Sequence, residues 1–348
     1  MIKETYFDLE SLEEPSQPAS LPESLEKQLA DIPKERLVSL LLELTKHSES
    51  VRQRIRLFVS QSGDKEELVE SRKLIRSYIK QASDRHGFVD YNHVHEAVEG
   101  AEFVLRACEQ AAEDEEWMRA FGLYLCVAKE MILLLQSVDD SDGTVGGLVE
   151  DGLQGMLEVA AQREHIPPGQ QEQIFRQLIE ESSQPYMAEW ADWSLHMLEI
   201  ASKLAISPER RQEWENRLSA AENRLSDRSY YTARIAQLRY AMIVNQDGEE
   251  QAEHFIDRHL HLEHFRTIAF QKAMDGSQYE RAVQLAEEAI RLESGSMRGY
   301  GSKWKRMLFD AYERSGDVAK VRQLSELLLL AGAVEYYTKL KESCPADE

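Results

Sequence analysis

Apolar residues recur at three- and four-residue steps along nearly the whole chain, and that spacing predicts one amphipathic helix after another. Leu37, Leu40, Leu41 and Leu44 form an early stripe behind Pro22 and Pro33, which sit where a first helical turn tolerates proline. Ser48 is placed to cap a helix that buries Val51, Ile55, Phe58 and Val59. Asp64-x-x-Glu67 has capping-box spacing for the next helix, which carries Leu68, Ile75, Tyr78 and Ile79 until Gly87 stops it. Asp90 then caps a long helix through Val94, Val98, Ala101, Leu105 and Cys108, and Asp114 opens its antiparallel partner with Trp117, Phe121, Leu125 and Ile132. Thr144–Arg163 follows, closed by Pro167-Pro168-Gly169. Its Gly146, Gly147, Gly152 and Gly155 weaken a helix unless a neighbour approaches closely. Further pairs, Ile174–Ile179 with Trp193–Leu204 and Trp214–Leu225 with Tyr231–Ile243, bring the expected count to roughly sixteen helices and no strand.

The stretch His264–Lys341 repeats one arrangement twice: an apolar helix, a glycine, then a second helix spaced by small or apolar residues. Phe265, Ile268, Ala269 and Ala273 precede Gly276, and Tyr279, Ala282, Val283, Ala286 and Ile290 follow it; Trp304, Leu308, Ala311 and Tyr312 precede Gly316. A residue just past a helix end commonly takes positive φ, so both glycines are expected there. Gly276-x-x-Tyr279-x-x-Ala282 resembles the turn of a tetratricopeptide hairpin, although Asp275 replaces that repeat's leucine. The two glycines lie about 40 residues apart against a repeat of roughly 34, and the surplus falls in Ser294–Ser302. The expected fold is all-α, a tetratricopeptide-like helical-hairpin array forming an α-solenoid or right-handed superhelix. It divides into a flexible acidic arm at 1–20, the N-terminal part of the array at 21–246 and tetratricopeptide-like repeats at 247–348.

Composition supports helices and narrows the function. With 42% hydrophobic residues, 17 Gly and 9 Pro, the chain can bury a large core and has few breakers. Its longest apolar runs fall far short of the roughly 18–20 residues of a membrane span. Met1–Pro22 lacks the apolar stretch of a secretory signal, and Cys108, Cys126 and Cys344 include no C-x-x-C, so a reducing, cytoplasmic location without a membrane partner is expected. A formal net charge of −22 opposes a phosphate backbone, so no direct binding to duplex DNA is expected.

Motifs for chemistry are sparse. The phosphate loop G-x-x-x-x-G-K-[ST], the G-x-S-x-G elbow and the H-E-x-x-H helix are absent, so no catalytic residue and no cofactor is assigned. Asp139-Asp140-Ser141-Asp142-Gly143 has the carboxylates of a calcium loop in the wrong register, because Val138 and Val149 fall on ligand positions. Capping by Ser141 or Asp142 is the leading reading. Asp139, Asp140 and Asp142 remain the weak metal candidates and the one place for a carboxylate-based enzyme. Of His254, His259, His261 and His264, only His261 and His264 have a spacing that shares one face, and packing or surface roles are expected; His93 and His95 point apart.

Three short segments, Ile32-Pro33-Lys34-Glu35-Arg36-Leu37 with Leu40-Leu41-Leu42, Asp139–Gly143, and Tyr336-Tyr337-x-x-Leu340-Lys341, resemble the C-terminal helical region of bacterial SWIM zinc-finger family proteins. The resemblance implies a tetratricopeptide-like array attached to, or working beside, a zinc module that binds DNA or protein. The C-x-C…C-x-H ligands of that module are absent, so the chain is expected to be either a fragment beginning after it or a stand-alone relative, and no metal site carries over.

The expected function is a non-enzymatic scaffold that presents a curved helical-repeat surface to a protein or peptide. Tyr279, Tyr300, Trp304 and Tyr312 are its candidate anchors, each equally suited to the core, and Arg298, Lys303, Lys305 and Arg306 are the basic cluster beside them. The alternative is an accessory or regulatory subunit of a nucleic-acid-linked machine, acting through its acidic surface on a basic partner or as a DNA mimic.

Overall fold

The computed structural model describes residues 23–59, 65–293 and 303–343. The acidic arm, Pro22, Asp64, the side chain of Phe58, the Ser294–Ser302 segment with Arg298 and Tyr300, and Cys344 lie outside the described residues. Among those residues the protein is all-α. The first helices are α1 (Glu23–Ala30), α2 (Lys34–His47), α3 (Glu49–Val59), α4 (Lys65–Ala82), α5 (Val94–Glu113), α6 (Trp117–Leu134), α7 (Thr144–Ala161), α8 (Pro168–Glu181) and α9 (Ala191–Ser202). They are followed by α10 (Pro208–Arg224), α11 (Ser229–Gln246), α12 (Glu249–Arg258), α13 (Glu263–Asp275), α14 (Tyr279–Glu293), α15 (Lys303–Ser315), α16 (Val318–Leu330) and α17 (Tyr337–Ser343). Consecutive helices pack on one another from α2 to α7, from α9 to α16, and at α16–α17, as expected of hairpin stacking.

The chain divides into two compact units, with the division inside α8. One runs to Ile174 and takes in Gln184–Trp190; the other comprises Phe175–Ser183 and the chain from Ala191 onward.

In the first unit α4 to α7 interleave, so that α4 also meets α6 and α5 also meets α7. Leu74, Ile75, Val98, Phe121, Val127, Met131, Leu153 and Met156 are wholly buried between them. Close approach accounts for two of the four glycines in α7. A Cβ on Gly152 would stand 3.0 Å from Ala128 Cβ, and one on Gly155 would overlap the Tyr124 ring. Gly147 faces open space, so packing does not explain it, and Gly146 has only the Asp140 carboxylate nearby, 3.4 Å from an added Cβ.

Two carboxylates sink into this core because α4 and α6 carry arginines to meet them. Glu67, 2% exposed at its side chain, accepts Arg119 Nη2 at 2.9 Å and Nε at 3.0 Å. It serves this long-range pair; the capping box that its spacing suggested would be completed by Asp64, which lies outside the described residues. Arg76 Nε and Arg72 Nε reach the buried Glu130 at 2.7 and 3.3 Å. Burying these charges is tolerable only because each is paired. Asp114 does not open α6; Glu115, at φ 58, makes the turn before Glu116 and Trp117.

The stripe on α2 stays largely exposed among the described residues. The helix contributes no buried residue, and Val38, Leu40, Leu41, Leu42 and Leu44 remain 43–58% exposed. Ser48 does cap α3, accepting Val51 N at 3.3 Å. A parallel bridge joins two loops: Val89 N donates to Ser137 O and Asp139 N to Val89 O, both at 2.9 Å, linking the approach to α5 with the approach to α7.

In the second unit, Trp214 of α10 is buried and donates its Nε1 to Leu198 O of α9 at 2.7 Å. Further along, Phe265, Phe270, Trp304 and Tyr312 pack around Ala282, Ala286 and Ala289, whose small side chains let α13 and α15 approach α14. The two turns of the repeated stretch differ by one residue. After α15, Gly316 takes φ 76, with Asp317 N bonded to Tyr312 O and Gly316 N to Glu313 O. After α13 the same paired bonds, Gln278 N to Ala273 O and Ser277 N to Met274 O, put Ser277 in the left-handed position at φ 56 and Gly276 at φ −82. The expectation of positive φ holds for Gly316 and fails for Gly276, because the helix runs one residue further than the glycine suggests.

Candidate functional site

The Schellman-type turn after α13 delivers Tyr279 to the start of α14, and the equivalent turn after α15 places Tyr312 just before Gly316. Asp317 then caps α16, accepting Lys320 N at 3.1 Å, which fixes Lys320 in the first turn. These elements enclose a groove of about 530 Å³ with Tyr279, Val283 and Tyr312 among its walls and Glu280, Glu287, Asp317 and Lys320 around them.

Tyr312 is 7% exposed and donates its hydroxyl to Glu287 Oε1 at 2.8 Å. Burial, with Glu287 beside it, pushes the phenol well above its ordinary range, so it stays a hydrogen-bond donor at physiological pH. The Lys320 ammonium lies 4.8 Å from the Tyr312 ring centroid and 4.0 Å from Asp317 Oδ2. A cation over an aromatic face, next to a carboxylate, is a favourable arrangement that the protein has built with its own side chain. Three carboxylates face one lysine around the groove.

The structure brings two of the expected anchors, Tyr279 and Tyr312, together there and places Trp304 elsewhere. Tyr279 is half-buried, its hydroxyl 3.5 Å from Ser277 Oγ. Trp304 is 1% exposed, edge-on to Phe270 at 6.2 Å, and belongs to the core. Lys303 is tethered to α13 through Thr267 Oγ1 at 3.0 Å and Glu263 Oε1 at 3.3 Å. Lys305 is engaged within the fold, while Arg306 is exposed on α15. Glu287, Asp317 and Lys320 were not singled out from the sequence. The signal for Glu287 was available, since Tyr279, Val283 and Glu287 follow one another at four-residue steps on one face of α14.

The acidic turn before α7 is occupied by its own helix. Asp140 Oδ1 and Oδ2 accept Val145 N at 2.7 Å and Gly146 N at 2.9 Å, so the principal cap is Asp140, a residue earlier than expected. Asp142 Oδ1 accepts Thr144 N at 3.0 Å, and that bond holds its carboxyl below the usual range. Asp139 Oδ1 accepts Ser141 N at 3.3 Å. With donors of the positive helix end already bound, the loop is a cap.

The histidines pack or face outward. His259 stacks on Phe255 at 3.9 Å with its Nδ1 2.8 Å from Phe255 O, and His254 is exposed. Because α12 ends at Arg258 and α13 begins at Glu263, His261 and His264 do not share a helix.

These features define an all-helical protein of consecutively packed helices with a groove between its last hairpins. No family model, curated protein or solved structure matches the chain. The likeness to SWIM zinc-finger proteins is therefore corrected: among the described residues no three His, Cys, Asp or Glu side chains come together to hold a metal ion. Cys108 and Cys126 are unpaired, buried thiols, and burial raises Cys126 to about 11. Two of the three segments behind the resemblance have local explanations. Asp139–Gly143 is the cap just described, and Tyr336 packs edge-on against Phe309 at 4.8 Å. No helix among the described residues is long and apolar enough to cross a membrane.

Proposed function

We propose that this protein is a non-enzymatic interaction module in which stacked helical hairpins, arranged as a tetratricopeptide-like solenoid, hold a basic peptide segment of a partner protein in the α14–α16 groove. The observation that carries the reading is Lys320 resting over Tyr312 beside Asp317, with Glu287 on the phenol. The groove thus already accommodates an ammonium group, and its surplus of carboxylates, in a chain of net charge −22, favours a cationic visitor. An arginine or lysine from the partner displaces the exposed Lys320 and takes its place on the ring.

The test is fluorescence anisotropy with labelled peptides rich in lysine and arginine, against the same peptides with glutamine in their place. Basic peptides should bind, and their affinity should fall steeply as salt is raised from low to about 0.5 M, because exposed charges are screened within about 8–10 Å near physiological salt. Tyr312→Ala should weaken binding at least about tenfold, as expected for losing a desolvated aromatic anchor. Equal affinity for the glutamine peptides would remove this reading.

A further inference from the structure

A second depression, about 100 Å³, lies in the second unit between α10, the start of α9 and the turn that follows α8, and its chemistry is opposite to that of the groove. Arg217, Ala220, Ala221 and Arg224 stand at i, i+3, i+4 and i+7, so they share one face of α10. The alanines leave room between the two arginines. Their Cα atoms are separated by about 10 Å along the helix at 1.5 Å per residue, a span that two long side chains can close on one group.

Neither arginine has an ion pair or hydrogen bond among the described residues, whereas others nearby do. Arg211 donates to Asp247 Oδ1 at 2.6 Å, Arg234 pairs with Glu199, and Arg239 pairs with Glu215 and Glu222 at 2.8 and 2.7 Å. Glu213, one turn before Arg217, offers a carboxylate at helical spacing, yet no pair forms. The negative end of α10 accounts for a cation at Arg224, but that effect fades within the last turn and does not reach Arg217. The floor is hydroxylic. Ser182 and Ser194 are 2% and 1% exposed, with Ser194 Oγ donating to Ser182 O at 2.6 Å and Ser182 Oγ to Ile179 O at 2.8 Å. Ser183, exposed at the rim, donates to Glu180 O over a longer 3.1 Å.

We propose that this depression binds a phosphate monoester, with Arg217 and Arg224 closing on its oxygens over Ala220 and Ala221. Guanidinium forks suit this group because each offers parallel N–H donors to two oxygens of a dianion. The Ser183 hydroxyl gives up the weakest of the three serine bonds and turns its proton to the ligand. In a chain with 63 acidic and 41 basic residues the overall field repels anions, so saturable phosphate binding would have to come from a local clamp. The proposal is independent of the peptide groove.

The experiment is isothermal titration calorimetry of the full chain at low ionic strength with inorganic phosphate and, separately, with O-phosphoserine, using chloride as control. Saturable heat is expected with at least one of them. Binding both identifies the free anion as sufficient, and binding only O-phosphoserine identifies the ester as the ligand. Arg217→Gln and Arg224→Gln should each weaken binding about tenfold or more, in line with losing a charge-assisted hydrogen bond of about 1.5 kcal/mol or more. Circular dichroism and thermal melting should be unchanged, since both arginines lie toward the surface. No saturable heat from either probe, or equal affinity in the folded double variant, would overturn the site.

Discussion

Tyr124 in α6 and Tyr312 in α15 are equally hidden, each 7% exposed, yet one is swallowed by the fold and the other forms the wall of a groove. The difference lies in what stands opposite. Tyr124 faces Gly155, where the backbone of α7 comes so close that no Cβ fits. Beside Tyr312 the chain turns away at Gly316, around which an added Cβ would meet nothing within 4 Å, and the ring keeps a carboxylate on its hydroxyl and a lysine over its face. Burial of an aromatic ring therefore does not separate packing from a site. The neighbours on its remaining side do.

The same contrast runs through the ion pairs. Glu67 and Arg119 are 2% and 12% exposed, whereas Lys272 and Glu253, between α12 and α13, are 39% and 58% exposed. Glu67→Ala should lower stability by about 3 kcal/mol in urea unfolding, because the buried Arg119 is left with only the half-exposed Glu116 as its partner. Lys272→Ala should cost less than about 0.5 kcal/mol, the usual scale of exposed pairs. Similar losses from both would erase the distinction between the two regions.

Glycine substitutions sharpen the comparison at a smaller scale. Gly155→Ala should destabilise by about 2 kcal/mol, as overlap with the Tyr124 ring exceeds the gain in helix propensity. Gly316→Ala should cost about 1 kcal/mol through its left-handed backbone alone. Gly276→Ala should stay near zero, since φ is ordinary there and the nearest obstacle to a Cβ is Lys272 O at 3.3 Å. Melting curves of the three variants in that order are the check.

A further effect, on the slope of stability with pH, is confined to alkaline solution and vanishes at neutral pH. Burial raises the Tyr124 phenol from 10.0 to about 12, so the folded protein holds this proton more tightly than the unfolded chain. Its contribution to stability is complete below pH 10 and is lost as pH climbs toward 12. Tyr124→Phe should flatten the decline in unfolding free energy over that window; an equally steep decline would show that Tyr124 does not titrate in it.

What was legible in the sequence followed periodicity. The α5–α6 pair, the glycine contacts at Gly152 and Gly155, and the turn at Gly316 are local patterns that helical geometry makes readable. A one-residue shift was not readable at Gly276, because a glycine at the last helical position and one just beyond it look alike until the backbone bonds are placed. Periodicity also marks the apolar face of α2 without saying whether anything covers it. The pairing of Glu67 with Arg119 and the reach of Asp140 past the turn depend on tertiary placement, as does the meeting of Tyr279, Glu287, Tyr312 and Lys320 from three helices. Short motifs misled more than periodicity did, since capping explains Asp139–Gly143 and packing explains Tyr336 in the segments behind the zinc-finger likeness.

Surface loops ordinarily absorb an inserted residue by bulging into solvent. The loops before α5 and α7 have lost that freedom together, because Val89 shares its backbone with Ser137 and Asp139 while the very next residues, Asp90 and Asp140, hold the entrances of the helical segments that follow. An extra residue between bridge and cap on either side would force a choice between them. Length in these two loops is thus a joint property, and a change in one alone gives up either the bridge or a cap.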